Sequence, residues 1–233
     1  MKAVILAGGY GKRLKPLTDS IPKPLVSVGG RPIIEWQILW LKHSGITSFV
    51  ILVGHLKEKV IEYLDSKKSD LGASITYSEE ESPLGTGGAL KNAEQHLKDE
   101  DKFIMFNGDN VTNINISWLS IDGNVASLGL VPLRSTYGIT LLDGDIITKF
   151  DEKPILKDYW MNAGVYLMTK EIFKYLPEEG NMENTAFVEL AGKKLLKGVK
   201  FPDAYFKGVD SIKDMEEVNA DLAKHSIFGS LGQ

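Results

Sequence analysis

The tightest constraint on this chain is the break at its eighth residue. Lys2–Ala7 reads as a buried strand, because the apolar run Ala3-Val4-Ile5-Leu6-Ala7 stops dead at Gly8-Gly9. The chain then stays polar until Leu25-Val26. This stretch holds the glycines Gly8, Gly9 and Gly11, the cations Lys12, Arg13, Lys15 and Lys23, and the prolines Pro16, Pro22 and Pro24. Glycines let backbone N–H groups approach an anion, cations neutralise it, and prolines hold a loop open without a helix or strand of its own. A loop this long after a core strand is unusual unless it binds something. Phosphate is the ligand these residue types suit.

Two familiar phosphate loops do not fit. A Walker A loop ending in Gly11-Lys12 needs a glycine at Leu6 and a Ser or Thr at Arg13. A dinucleotide fingerprint starting at Gly9 and Gly11 needs its third glycine at Leu14. What stands there is G-G-x-G-x-R-L-x-P-L-T, followed by P-K-P-L. This resembles the N-terminal signature of the sugar-1-phosphate nucleotidyltransferases, the NDP-sugar pyrophosphorylases. Lys12 departs from it, since a threonine is more usual there.

At 233 residues the chain suits a single domain with a real core. A net charge of −4 gives no reason to expect nucleic acid or an anionic membrane as partner. The absence of cysteine excludes disulfides and thiolate metal sites and fits a cytoplasmic setting. Lys2 with five apolar residues is too short for a signal peptide, and no run approaches a membrane span. Oligomeric state is not legible here, and a homo-oligomer is compatible with the pattern.

Along the chain, helices are expected at Pro32–Ser44 and Leu56–Leu64, and strands at Ser48–Val53 and Ala73–Ser78. A helix should run from Gly87 to about Leu97, and a strand over Lys102–Asn107, ending at Gly108-Asp109-Asn110. Strands alternating with helices imply an α/β fold with a doubly wound, mostly parallel sheet. Ligands then sit beyond the carboxyl ends of the strands, where the loops 8–22, 79–87 and 108–110 converge. From Val125 short strands follow at 125–131, 138–142, 146–150 and 162–168, with a hairpin at Asp143-Gly144. They suggest a mixed antiparallel extension, before helices at 185–196 and 211–225 and a frayed tail at 226–233.

Asp109 ends an apolar strand, where it could be a turn residue or a ligand for a phosphate-bound Mg2+. Asp210 precedes Ser211 and Asp214 and could be mere helix-start chemistry. The resemblance implies that both are metal ligands, although the Ile-Gly-Thr expected after Asp210 is only partly kept as Ser211-Ile212-Lys213. Ser82-Pro83-Leu84-Gly85-Thr86-Gly87-Gly88 is either a flexible connection or, by resemblance, the loop that reads the base. Its L-G-T-x-G form is similar to guanylyltransferases acting on mannose- or heptose-type 1-phosphates. Glu79-Glu80-Glu81 is either a solvated acidic run or the source of a carboxylate for the two N–H donors of guanine.

The resemblance further implies a division of labour. Leu6, Ala7, Gly8, Gly9, Gly11, Lys12, Glu80, Pro83, Gly85 and Thr86 would hold the nucleotide, within residues 1–112. Asn110, Glu152, Lys153, Asn162 and Gly164 would hold the sugar phosphate, mostly within 113–225. Arg13 and Lys23 would be catalytic, and the substrates a nucleoside triphosphate and a sugar 1-phosphate. Uridylyl or thymidylyl transfer, or a non-catalytic sensor of sugar nucleotides, are the alternatives. The histidines His43, His55, His96 and His225 show no ligand spacing and read as solvent or packing residues.

Overall fold

The computed structural model describes residues 1–224; His225 and the expected tail at 226–233 lie outside the described residues. The first half contains β1 (Ala3–Ala7), the short pair β2 (Ser27–Val28) and β3 (Arg31–Pro32), α1 (Ile33–His43), β4 (Ser48–Val53), α2 (Lys57–Leu71), β5 (Ser74–Glu79), α3 (Gly85–Asn92), α4 (Glu94–Leu97), β6 (Lys102–Asn107) and β7 (Asn110–Thr112). The second half contains β8 (Ala126–Arg134), β9 (Ile139–Asp143), β10 (Ile146–Asp151), β11 (Ile155–Thr169), α5 (Ala186–Gly192), β12 (Leu196–Lys200), β13 (Phe206–Gly208) and α6 (Ile212–Lys224).

One seven-stranded sheet spans the molecule in the order β12-β8-β11-β6-β1-β4-β5. Every neighbouring pair is parallel except those made by β11, which runs against β6 and β8. The chain winds outward from β1 through β4 to β5, then crosses back so that β6 takes the other side of β1. That reversal is a switch point, and it opens a crevice above the ends of β1 and β6.

Alternation along the strands fills both faces. Ala3, Ile5, Phe49, Ile51 and Phe106 pack with Ile34, Ile38 and Leu41 of α1 and with Val60 and Leu64 of α2. Val4, Val50, Leu52, Phe103 and Met105 point the other way, onto Ala89 and Leu90 of α3 and Phe187 and Leu190 of α5. A strand buried on both faces reads as a continuous apolar run, which is why β1 and β4 were legible. Among the described residues no helix is long and apolar enough to cross a membrane.

Several boundaries differ from expectation. The helix expected to stop at Leu64 continues to Leu71 and ends at Gly72, because Leu71 is buried two turns beyond Leu64 while 65–70 face solvent. α3 begins at Gly85 and breaks after Asn92. The strand expected from Asn162 starts at Ile155 and crosses two bulges. The stretch 185–196 is not all helix: α5 stops at Gly192, and Leu196 opens the edge strand β12. The opening loop is also not bare, for it folds into 3-10 turns at Lys12–Leu14, Leu17–Asp19 and Lys23–Leu25, with Leu14 and Thr18 buried.

Candidate active site

The crevice at the switch point is a cleft of about 300 Å3. Its floor is the end of β1 and the loop after it (Leu6, Ala7, Gly8, Gly9, Gly11), with Lys23 at one side. Glu80, Pro83, Gly85 and Thr86 form a second wall and Asp109 a third. The three loops expected to converge do converge.

The loop after β1 holds its shape by hydrogen bonds onto one carbonyl. Gly11 has φ +59, and its oxygen accepts from Leu14 N at 2.8 Å and from Thr18 Oγ1 at 2.8 Å. Any side chain at Gly11 would also meet Thr18 Cγ2 at 2.9 Å, so this position requires glycine on two counts. The turns of the loop bring Arg13 and Lys23 to the same carboxylate from different depths. The Arg13 side chain is 74% exposed, whereas that of Lys23 is 11% exposed. The Lys23 ammonium is therefore largely shielded from solvent.

Lys23 is the centre of the electrostatics. Its Nζ donates to Asp109 Oδ2 at 2.7 Å and to Asp210 Oδ1 at 2.6 Å, and Arg13 reaches Asp210 Oδ1 at 2.9 Å. Two cations thus balance two half-buried carboxylates. What brings together carboxylates so distant in sequence is the short ladder of β13 against β7, capped by Val209 N donating to Asp109 O at 2.8 Å. Asp210 is free for this role because the helix start is capped without it. Asp214 Oδ2 accepts from Ser211 N at 2.8 Å and Ser211 Oγ accepts from Asp214 N at 3.2 Å, a capping box.

A cation shared by two carboxylates is the environment Mg2+ needs. Magnesium takes one or two carboxylates and completes its shell with water and substrate phosphates. Among the described residues no cluster of three or more acidic, His or Cys groups offers a fuller cage. Asp109 and Asp210, which now share the Lys23 ammonium, fit that ion and would be the residues to hold it.

The acidic run 79–81 separates into two roles. Glu79 and Glu81 ion-pair with Lys57 at 3.0 and 2.9 Å, and the Glu81 and Glu79 carboxylates raise the Lys57 ammonium pKa. Glu80 alone turns into the cleft, where burial raises its carboxyl pKa and one hydrogen bond from Leu84 N at 2.9 Å partly offsets that. The glycines behind it are not all for a ligand. Gly87 N and Gly88 N donate to Gly180 O at 2.9 and 3.2 Å, and a Cβ on Gly88 would lie 2.5 Å from Glu178 O. Only Gly85 of these three lines the cleft. Thr86 lines it too, with its hydroxyl hydrogen-bonded to Glu183.

The expected sugar-phosphate residues are not gathered there. Asn110 is buried and its Nδ2 donates to Ala163 O at 3.0 Å, so its side chain shapes the turn. Asn162 donates to the Tyr166 hydroxyl at 2.9 Å and accepts from Gly164 N at 2.9 Å, closing a bulge in β11. Burial drives that phenol pKa well above its ordinary range. Glu152 and Lys153 lie outside the cleft lining, on the exposed turn between β10 and β11. Lys12 is exposed and sits over the Tyr10 ring at 5.7 Å.

Sequence reasoning missed Tyr10, Pro24, Asn107 and Asn181 in the lining. It also missed Gln37 of α1, whose Nε2 donates to Asn107 O at 3.0 Å and Asn110 O at 2.9 Å, clamping both ends of the turn that carries Asp109. A glutamine on an otherwise apolar helix face is the one signal that could have found it.

The nucleotidyl transferase family profile matches residues 2–225. The D-glycero-alpha-D-manno-heptose 1-phosphate guanylyltransferase of Campylobacter jejuni is 34% identical over 209 residues, covering 88% of this chain and 93% of that protein. The mannose-1-phosphate guanyltransferase of Candida albicans is 35% identical over 227 residues, but this chain spans only 62% of its length. Among solved structures, HddC from Yersinia pseudotuberculosis superposes with a TM-score of 0.72 at 26% identity, over 95% of this chain and 99% of that one. Its complex with GMP-PN matches at 25% identity and the same TM-score.

Proposed function

The chain belongs to the nucleotidyl transferase family and is a sugar-1-phosphate nucleotidyltransferase, and from that premise we propose that it transfers guanylyl to a mannose- or heptose-type 1-phosphate, with Mg2+. The carrying observation is the Lys23 ammonium bridging Asp109 and Asp210 at the mouth of a glycine-floored cleft.

In this reading a sugar-phosphate oxygen attacks the α-phosphorus of the triphosphate in line. The new P–O bond forms as the bond to the β-phosphate bridging oxygen breaks, and pyrophosphate leaves with that electron pair. The attacking phosphate is already ionised at neutral pH, so no general base is required. The chain must instead align two anions and offset their repulsion, which is about 4 kcal/mol per unit-charge pair at ~4 Å and an effective dielectric near 20. Arg13 offers its fork to the outer phosphates, and Lys23 turns from the carboxylates to the α-phosphate. Mg2+ held by Asp109 and Asp210 would neutralise the charge that gathers on the phosphates.

Residues 1–112 form the nucleotide side, with Leu6, Ala7, Gly8, Gly9, Gly11, Lys12, Pro83, Gly85 and Thr86 along it. Glu80 supplies the base-reading carboxylate. Its Oε2 is engaged by Leu84 N–H, while Oε1, 3.0 Å from where a Gly8 Cβ would stand, remains at the cleft to accept from guanine N1–H and N2–H2. Uracil and thymine would set a carbonyl against it. Residues beyond 112 form the sugar side: Glu152 and Lys153 would reach the sugar phosphate from the exposed turn outside the cleft lining, and Asn162 and Gly164 would act through the bulge they close in β11. A chain without cysteine suits a reducing, cytoplasmic setting.

The test is pyrophosphate release from five nucleoside triphosphates against several sugar 1-phosphates. GTP should exceed UTP and dTTP by at least ~10-fold in kcat/KM with a mannose- or heptose-type acceptor. Equal or better use of UTP or dTTP would overturn the guanine reading and leave the reaction class standing.

A further inference from the structure

The hairpin β9–β10 stands away from the rest of the molecule. Its strands pair with each other and, among the described residues, with no third strand. Every residue from 140 to 150 is exposed, so neither face of the hairpin is covered. An isolated two-stranded ribbon is marginal in water, and this one is rich in apolar side chains. Leu141, Leu142, Ile147, Ile146 at 69% exposure and Phe150 at 62% project from it, with Tyr137 at 78% beside its root. At roughly 100 Å2 apiece these six side chains present on the order of 600 Å2, divided between the two faces of the ribbon and its root.

The register sorts them by face. Leu142 opposes Ile147 and Thr140 opposes Phe150, which sets these four on one face; Leu141 opposes Lys149 on the other. Charge is polarised along the arm as well. The tip carries Asp143 and Asp145, with no cation between Gly138 and Thr148. The root carries Arg134, Lys149, Lys153 and Lys157 against Asp151, Glu152 and Asp158, a net charge of +1; Lys149 is paired to Asp151 at 2.6 Å and Lys153 lies 3.8 Å from Glu152 within the root. An acidic tip and a root of net positive charge on one arm are complementary to the same arm turned end for end.

We propose that the β9–β10 arm is a dimerisation element, and that its occupant is the same arm of a second copy, laid antiparallel about a two-fold axis. The Leu142–Ile147–Phe150 face turns inward, and each acidic tip rests on the partner's root. A two-fold contact demands a self-complementary patch, and this arm has both the apolar face and the end-to-end charge pattern for one. A standard interface takes about 800 Å2 from each partner, a little over half of it non-polar. The three apolar side chains of the inward face supply about 300 Å2, roughly two-thirds of that non-polar share.

Sedimentation equilibrium of the full chain at micromolar concentration tests this, together with two sets of variants. The wild type should be a dimer, and Leu142→Asp with Ile147→Asp should make it a monomer with an unchanged melting profile of the main domain. Asp143→Lys with Asp145→Lys should weaken the dimer by ~10-fold or more at low salt, and less at high salt. The lack of native cysteine makes a location test clean. A single Thr140→Cys should cross-link two copies with a short bis-maleimide, and Leu141→Cys, on the opposite face, should not. This second test holds even if the double aspartate variant fails to fold. A monomeric wild type, a dimer that survives the aspartates, or cross-linking at Leu141 without Thr140 would each overturn the proposal.

Discussion

Replacing Lys23 by methionine separates a cation held in place of a metal from a merely structural lysine. The Lys23 Nζ lies 2.7 Å from Asp109 Oδ2 and 2.6 Å from Asp210 Oδ1, so those two oxygens are no more than about 5 Å apart. With the ammonium gone they repel by about 3 kcal/mol at an effective dielectric near 20. Both carboxylates are about one-third exposed and Arg13 stays on Asp210, so solvent and the guanidinium relieve part of this. The remaining ~1.5–2.5 kcal/mol is released when a divalent ion binds, which corresponds to roughly 10- to 70-fold in affinity. Lys23→Met should therefore bind Mn2+ more tightly than the wild type without nucleotide, by calorimetry. Its melting temperature should fall in chelator and recover with Mn2+, because the ion binds only the folded state. Turnover should move the other way, dropping by ~10²-fold or more in a pyrophosphate-release assay, since the cation for the α-phosphate is lost. Mn2+ affinity equal to or below the wild type would refute the reasoning, because the two carboxylates would not then be a site that Lys23 occupies.

Three further outcomes follow from the same geometry. Glu80→Gln should weaken the preference for GTP and change the pH dependence of stability. Burial raises the Glu80 pKa in the folded state, so the wild type is favoured at low pH and loses that advantage as pH rises above the ordinary value of 4.5; the variant's melting temperature should gain on the wild type from pH 4 to 7. Gln37→Leu strips donors from the Asn107 and Asn110 carbonyls, and should cost about 1–3 kcal/mol by denaturant titration and lower kcat more than it raises KM for GTP. Gly88→Ala sets a methyl 2.5 Å from Glu178 O and should cost about 1–3 kcal/mol by displacing the 177–182 segment, an effect that Gly9→Ala, with open space around it, should not show.

What the sequence disclosed and what it withheld divide along physical lines. β1, β4 and β6 were legible because a strand buried on both faces must be apolar throughout, and the glycine-rich loop was legible because its backbone approaches are local. α2 was cut short because the burial of Leu71 depends on a sheet face that local polarity at 65–70 conceals. β12 and β13 escaped because edge strands of three to five residues, half-buried and containing glycine, have almost no periodicity. The site divides in the same way. Asp109 and Glu80 stand just past the ends of legible strands, so their place beside the crevice was readable even where their role was not, but Gln37 works through two backbone carbonyls, and any residue with an amide could in principle have done so. Asp210 is the instructive case. Its sequence context reads equally as a helix cap, and only the ladder of β13 on β7, with Ser211 and Asp214 taking over the cap, turns its carboxylate toward Lys23. The local signal could not decide between cap and ligand, because the deciding contact comes from a strand that local signals do not show.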